Sequence, residues 1–179
     1  MTYYGSKNLA DSFRTVRKNT VAIAEEVPED KYSYRATPDV MSIGDILGHL
    51  AIAPMWHIDA HTHKIARFEF AMFAEGLQKM QAAQAALKTK AEIVRALTEN
   101  GERLATFLEG VDDDTLAEIV SFPPPVQPSS KSRFEMLLGI KEHEMHHRGQ
   151  LMLLQRLIGQ VPHLTRRRQE MQAATSANR

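Results

Sequence analysis

The strongest chemical signal in the sequence is a pair of histidines four residues apart, His143 and His147. They lie in the series Met136, Ile140, His143, His147, Leu151, Leu154, Ile158, whose spacings of 4, 3, 4, 4, 3, 4 trace one face of a helix. Most other members of the series are apolar, so both imidazoles are expected to point inward. At i and i+4 they stand ~40° apart around the axis and ~6 Å apart along it, within reach of one divalent ion. A buried imidazole without a partner leaves polar nitrogens unsatisfied, at roughly 1–3 kcal/mol per group. An HxxxH spacing alone is a short pattern with many chance occurrences, and a hydrogen-bonded core histidine is the competing reading.

A third imidazole strengthens the metal reading. His49 falls in a second apolar stripe, between Ile46 and Ala53. In a helical bundle, ligands from facing helices converge in the interior. Three nitrogens from two helices leave coordination positions open for water or substrate, as in catalytic sites. A nitrogen-rich set suits zinc or nickel better than magnesium or calcium.

The remaining histidines compete with these. His146 also reaches His143 at i+3, but it lies about 100° from His147, and the stripe favours His147. His57 lies further along the stripe of His49 and is read as structural or as lining a cavity mouth. His61 and His63 are expected to be solvated near a helix end, and His163 is uninformative. His57 and His61 form a second HxxxH, a weak candidate for an independent site. Trp56 is expected to pack in the core or to wall a substrate pocket. Glu142 and Glu144 are expected to point sideways as solvated charges or outer-sphere acceptors. No carboxylate is expected on the inward stripes, so no general base is named.

Helices must position these groups. Leu9, Phe13, Val16, Thr20, Ile23 and Val27 form one stripe, which Pro28 ends. Residues 28–41 read as a loop, with Ser42 as an N-cap and Asp45 in the first turn. A second helix is predicted from Ile43 to Lys64, with Pro54 kinking it. Residues 64–86 read as helical, either continuous with the second helix or separate. A third clear helix spans about 88–109, with Leu97, Gly101, Leu104 and Leu108 on its buried side and Gly110 as its stop. The proline-rich segment 121–132 reads as a linker, and no β-hairpin is expected. A fourth helix runs from about 133 to 158 and ends at Gly159. Phe134, Leu138, Met145 and Met152 form a second apolar stripe on it, suited to core packing or to a homodimer face. The predicted fold is all-α, a four-helix bundle with long helices, over 1–162, followed by a polar tail, 163–179.

Composition bounds the function. The chain has 179 residues, 22 Lys+Arg, 22 Asp+Glu and no cysteine. That length can enclose a core in one domain without covalent staples. Zero formal charge disfavours a general nucleic-acid binder, although Arg166–Arg168 gives the tail a short basic run. The lack of cysteine excludes a disulfide framework, a thiolate metal site and a cysteine nucleophile. Neither a secretory signal nor a membrane span is expected, and the anticipated location is cytoplasmic.

Two stretches resemble the DinB family of metal-binding four-helix bundles. They are YSYRATPDVMSIGDILGHLA, residues 32–51, which contains His49, and RFEMLLGIKEHEMHHRGQLMLLQRLIGQVP, residues 133–162, which contains His143 and His147. The resemblance implies a divalent-metal site at His49, His143 and His147 and frequent dimerisation. It also implies kinship with transferases and isomerases that use a low-molecular-weight thiol. The expected function is therefore a metal-dependent S-transferase or hydrolase acting on a small electrophile. With no cysteine in the chain, the thiol must come from outside, and metal coordination would favour its thiolate. The alternative is a non-catalytic metal-binding stress-response dimer.

Overall fold

The computed structural model describes residues 4–177. Four long helices enclose the core, α1 (Ser6–Glu26), α2 (Ile43–Thr62), α4 (Lys90–Glu109) and α6 (Arg133–Leu157). Each of α1 and α2 packs against both α4 and α6, so α1 and α2 lie diagonally across the bundle. Helix α3 (Phe70–Ala86) lies outside this quartet against α2. A short helix, α5 (Asp113–Ala117), follows α4, and α7 (His163–Ala177) follows α6. Among the described residues, no helix is long and apolar enough to cross a membrane.

The helix starts follow from local chemistry. Ser42 is the N-cap and Asp45 lies in the first turn, as the sequence predicts; Ser42 Oγ accepts from the Asp45 amide at 3.1 Å while the Asp45 carboxylate accepts from the Ser42 amide at 2.9 Å. The same device opens α4 through Thr89 and Glu92, and α6 through Ser132 and Glu135. Helix α1 ends at Val27, ahead of Pro28, and α6 gives way to Gly159 at φ 81°. Of residues 64–86, those from 70 onward form a separate helix, whereas 64–69 are not helical: Lys64 takes φ 49°, and residues 65–69 turn away before α3 begins.

The apolar faces meet in two large clusters, with a third, smaller one around Ala60, Phe68 and Val120. One gathers Ile23, Leu47, Leu50, Leu97, Leu151 and Leu154. The other gathers Leu9, Phe13, Leu104, Leu108, Leu137 and Ile140. Of the second stripe on α6, Phe134, Leu138 and Met152 pack against these clusters, whereas Met145 is exposed.

Three findings depart from the sequence expectation. The proline-rich segment is framed by two short antiparallel strands, β1 (Ile119–Ser121) and β2 (Ser130–Ser132), with Val120 opposite Lys131. The prolines occupy the excursion between the strands, where they remove no ladder bond. Ser121 also holds the 65–69 segment, accepting from the Phe68 amide at 2.9 Å and donating to the Ala66 carbonyl at 3.0 Å. The segment after Pro162 is helical up to Ala177; residues 178 and 179 of the expected tail lie outside the described residues. Its first turn is docked: His163 is buried beside Asn19, and Arg166 pairs with Glu26 at 2.5 Å. Residues 167–176 are exposed, in keeping with their polarity.

Glu144 is the third departure. It is buried on the inward face of α6, one residue from His143, and is paired with buried Arg17. The inward face of α6 therefore runs through Leu137, Ile140, Glu144 and Leu151, and His143 and His147 lie at its half-buried margin.

Candidate metal centre

His49, His143 and His147 converge. The Nε2 atoms of His49 and His143 are 3.0 Å apart, and those of His147 and His143 are 3.1 Å apart. Among the described residues, this is the group of histidines and acidic residues whose donor atoms bunch together, all within 4.8 Å of one another. All three side chains are half-buried. His49 is supplied by α2 and the other two by successive turns of α6, as their spacings predict.

The site donates lone pairs. His147 Nδ1 lies 2.7 Å from Gln150 Oε1, an acceptor, so Nδ1 carries the hydrogen and Nε2 presents its lone pair to the cluster. Gln150 Nε2 in turn lies 3.2 Å from His146 Nε2, which orients the amide. His143 Nε2 can hold one hydrogen or one lone pair and cannot satisfy both neighbours by hydrogen bonding alone. A cation between the three nitrogens resolves this. The spacings approach the ~3.3 Å expected for two nitrogens sharing one tetrahedral ion at zinc–nitrogen bond lengths. The donor set therefore fits a divalent transition ion.

Burial holds the imidazoles in the ligating form. It pushes His143 down to about 4, with the nearby His147 and His49 adding to the effect. Burial also lowers His49, followed by the influence of His147. His147 is lowered by burial against the opposing bond to Gln150. Burial thus favours the uncharged form of all three, the form that binds a metal.

The other histidines sort cleanly. His146 is exposed, packs edge-on to His147 and stands outside the triad. His63 is exposed, as expected. His61 is not solvated: it is 4 % exposed, and its Nδ1 lies 3.3 Å from Arg133 Nη1. Arg133 is itself buried, bonded to Glu118 at 2.7 Å and to the Ile65 carbonyl at 3.0 Å. The 65–69 segment and the start of α6 cover this end of α2, a tertiary contact that helical periodicity does not report. His57 stacks parallel to His61 at 6.4 Å, and the pair gathers no third ligand. His163, uninformative in sequence, anchors α7.

A cavity of about 360 Å³ opens against His49 and His143. Trp56 forms part of its wall, stacked on Phe73 at 6.3 Å and on Phe68 at 5.5 Å. The backbone of Gly76 approaches the indole so closely that a Cβ there would lie 2.4 Å from Nε1. Glycine is required at that crossing of α3 over α2.

A helical bundle with three imidazoles at the edge of its core defines a class of fold and site. The chain matches the DinB superfamily over residues 12–151 and belongs to that superfamily. It is similar in structure to a DinB-like protein, YjoA, from Bacillus subtilis, with a TM-score of 0.64 at 19% identity, covering 86% of this chain and 92% of the other. That likeness is one of fold. A search among curated proteins found no match.

Proposed function

We propose that this protein binds a divalent transition ion, zinc or nickel, through His49, His143 and His147, and that it acts as a metal-dependent, thiol-utilising transferase on a small electrophile. The observation that carries the reading is the bunching of three Nε2 atoms beside a cavity, with no acidic side chain joining the group among the described residues. Such a set leaves positions for an exogenous group. When bound, the ion would act as a Lewis acid that stabilises thiolate over thiol. The chain's own contribution is to hold three neutral imidazoles in place, to fix the His147 tautomer through Gln150, and to present an apolar space alongside. We place the protein in the cytoplasm. We also propose that it forms a homodimer, a reading supported by exposed Met145, Leu153 and Leu157 on α6.

Elemental analysis of purified protein, with zinc and nickel titrations followed by calorimetry, tests the site. One ion per chain is expected, with loss of binding in His143→Ala and His49→Ala. Retention of stoichiometric metal in both variants would overturn the assignment. The transferase reading is tested by assaying metallated protein with several small thiols and model electrophiles. Rates equal to those of free metal plus thiol, unchanged by His49→Ala, would reject it. In that case a stress-response dimer with a structural ion becomes the better reading, and its mark is unfolding on chelation.

A further inference from the structure

The cavity beside the triad is selective in its chemistry. Ala53 and Trp56 of α2 and Phe73, Leu77 and Met80 of α3 supply an apolar wall. No carboxylate, ammonium or guanidinium group lines it. Apart from the two triad imidazoles, its polar side-chain groups are His57 and the Trp56 indole N–H. The Nδ1 of His57 is shut away from solvent and has no hydrogen-bond partner, so the ring meets the cavity through its Nε2 edge. Burial pushes His57 down to about 3, reinforced by His61 and His143, so the ring is neutral under physiological conditions. It can offer a hydrogen bond but not a charge.

The volume, about 360 Å³, lies at the small end of ligand pockets. Away from the triad, a charged ligand body would lose hydration with no opposite charge in the wall to replace it. An uncharged ring would trade water for aromatic and thioether surface. We infer that this cavity binds an uncharged, ring-sized apolar molecule bearing one hydrogen-bonding group, and that His57 is the residue that reads that group. The inference deepens the function proposed above and rests on that reading for the direction of the ligand, whose polar end lies toward His57 and the triad.

Trp56 is the chain's single tryptophan and lines both this cavity and a neighbouring one, so its emission reports on ligand entry and the His57 variant assigns the response to this cavity. The test uses the full chain freed of metal by chelation, which separates it from the metal assignment. Benzyl alcohol, benzoate and benzylammonium share one ring and differ in charge; toluene lacks the polar group. Benzyl alcohol is expected to perturb the emission saturably and to bind at least ~10-fold more tightly than either ion, a difference set by the desolvation of charge. In His57→Phe, benzyl alcohol is expected to weaken by ~10-fold while toluene binding is retained, as for the loss of one buried hydrogen bond. A second variant, Leu77→Lys, lies at a position 52 % exposed, so the fold tolerates it. It is expected to turn selectivity toward benzoate. Equal binding of the three benzyl compounds, no saturable response to benzyl alcohol, or unchanged selectivity in both variants would overturn the inference. Failure here with one ion still bound per chain would leave the metal assignment standing, and loss of metal binding with this selectivity intact would do the reverse.

Discussion

Arg17 and Glu144 form an ion pair at 2.8 Å in the middle of the bundle, with side chains 6 % and 2 % exposed. Arg17 does more than pair. Its Nη2 donates to the Leu50 carbonyl at 2.9 Å, and its Nη1 donates to the Leu97 carbonyl at 2.9 Å. The Leu50 carbonyl would ordinarily accept from the amide of residue 54, but that residue is proline and has no N–H. Pro54 therefore frees a buried acceptor, and Arg17 satisfies it. One guanidinium on α1 thus ties α2 beside His49, α4 at Leu97, and α6 beside His143.

Breaking this clasp leaves a buried charge uncompensated, which typically costs about 3–5 kcal/mol. Glu144→Ala and Arg17→Ala are each expected to destabilise the metal-free protein by that order in urea unfolding. Arg17→Ala combined with Glu144→Ala is expected to lose less than the two single changes together, with a coupling of about 2 kcal/mol. Strict additivity would show that the pair does not act as a unit. Zinc affinity is expected to fall in any of these variants that remains folded, because His49 and His143 flank the tied positions.

Gln150 addresses the tautomer rather than the fold. It is exposed, so Gln150→Ala is expected to change unfolding free energy by no more than about 0.5 kcal/mol. Losing the Oε1 acceptor 2.7 Å from His147 Nδ1 is expected to weaken zinc binding by ~10–100-fold, the usual effect of removing an outer partner of a ligand. Urea unfolding of the two proteins measures the first part, and titration calorimetry with zinc the second. Unchanged affinity would mean that the His147 orientation is set by packing alone.

These relationships show where the sequence was legible. The capping pair at Ser42 and Asp45, the stripes of α1 and α4, and the i, i+4 placement of His143 and His147 are local, and each is readable from spacing. Arg17 and Glu144 were also within reach of that method. Arg17 follows Phe13 by four and precedes Thr20 by three; Glu144 follows Ile140 by four. Opposite charges at inward positions on two helices are a signature of a buried pair. Reading Glu144 as solvated followed from treating charge as evidence of exposure. The pairing of β1 with β2 and the burial of His61 by Arg133 depend on contacts between distant segments. Periodicity carries no information about them.

Acid should destabilise the metal-free protein well above the range where carboxylates titrate. Burial, followed by the positive charge of Arg133, pushes His61 down to about 4, and burial pushes His57 and His143 to about 3 and about 4. In the unfolded chain these groups take up protons near 6.5. Between 6.5 and about 4 the unfolded state therefore binds more protons, and stability falls as pH falls. Above 6.5 this contribution is fully present. For His61 alone the loss at about pH 5 amounts to about 2 kcal/mol. Urea midpoints measured from about pH 7.5 to 5 should decline in the wild type and decline less in His61→Phe. Identical slopes would place the acid sensitivity elsewhere.

Gly101 offers a test whose sign depends on Arg17. A Cβ at this position of α4 would lie 2.7 Å from Arg17 Cγ and 3.1 Å from Cδ. In an open helix, Gly→Ala stabilises by about 0.5–1 kcal/mol. Here the Arg17 stem cannot move aside readily, because its head is fixed by Glu144, Leu50 and Leu97. Gly101→Ala is therefore expected to destabilise by about 1–2 kcal/mol, in line with overpacking of a core. Gly139 on α6, with nothing within 4 Å of an added Cβ, serves as the control and should show the ordinary gain. In an Arg17→Met background the clash at Gly101 relaxes, because an unbranched stem with no fixed head can repack. The effect of Gly101→Ala should then move toward the gain seen at Gly139. If it stays as destabilising as in the wild type, the restraint on α4 comes from its other neighbours and not from the pinned guanidinium.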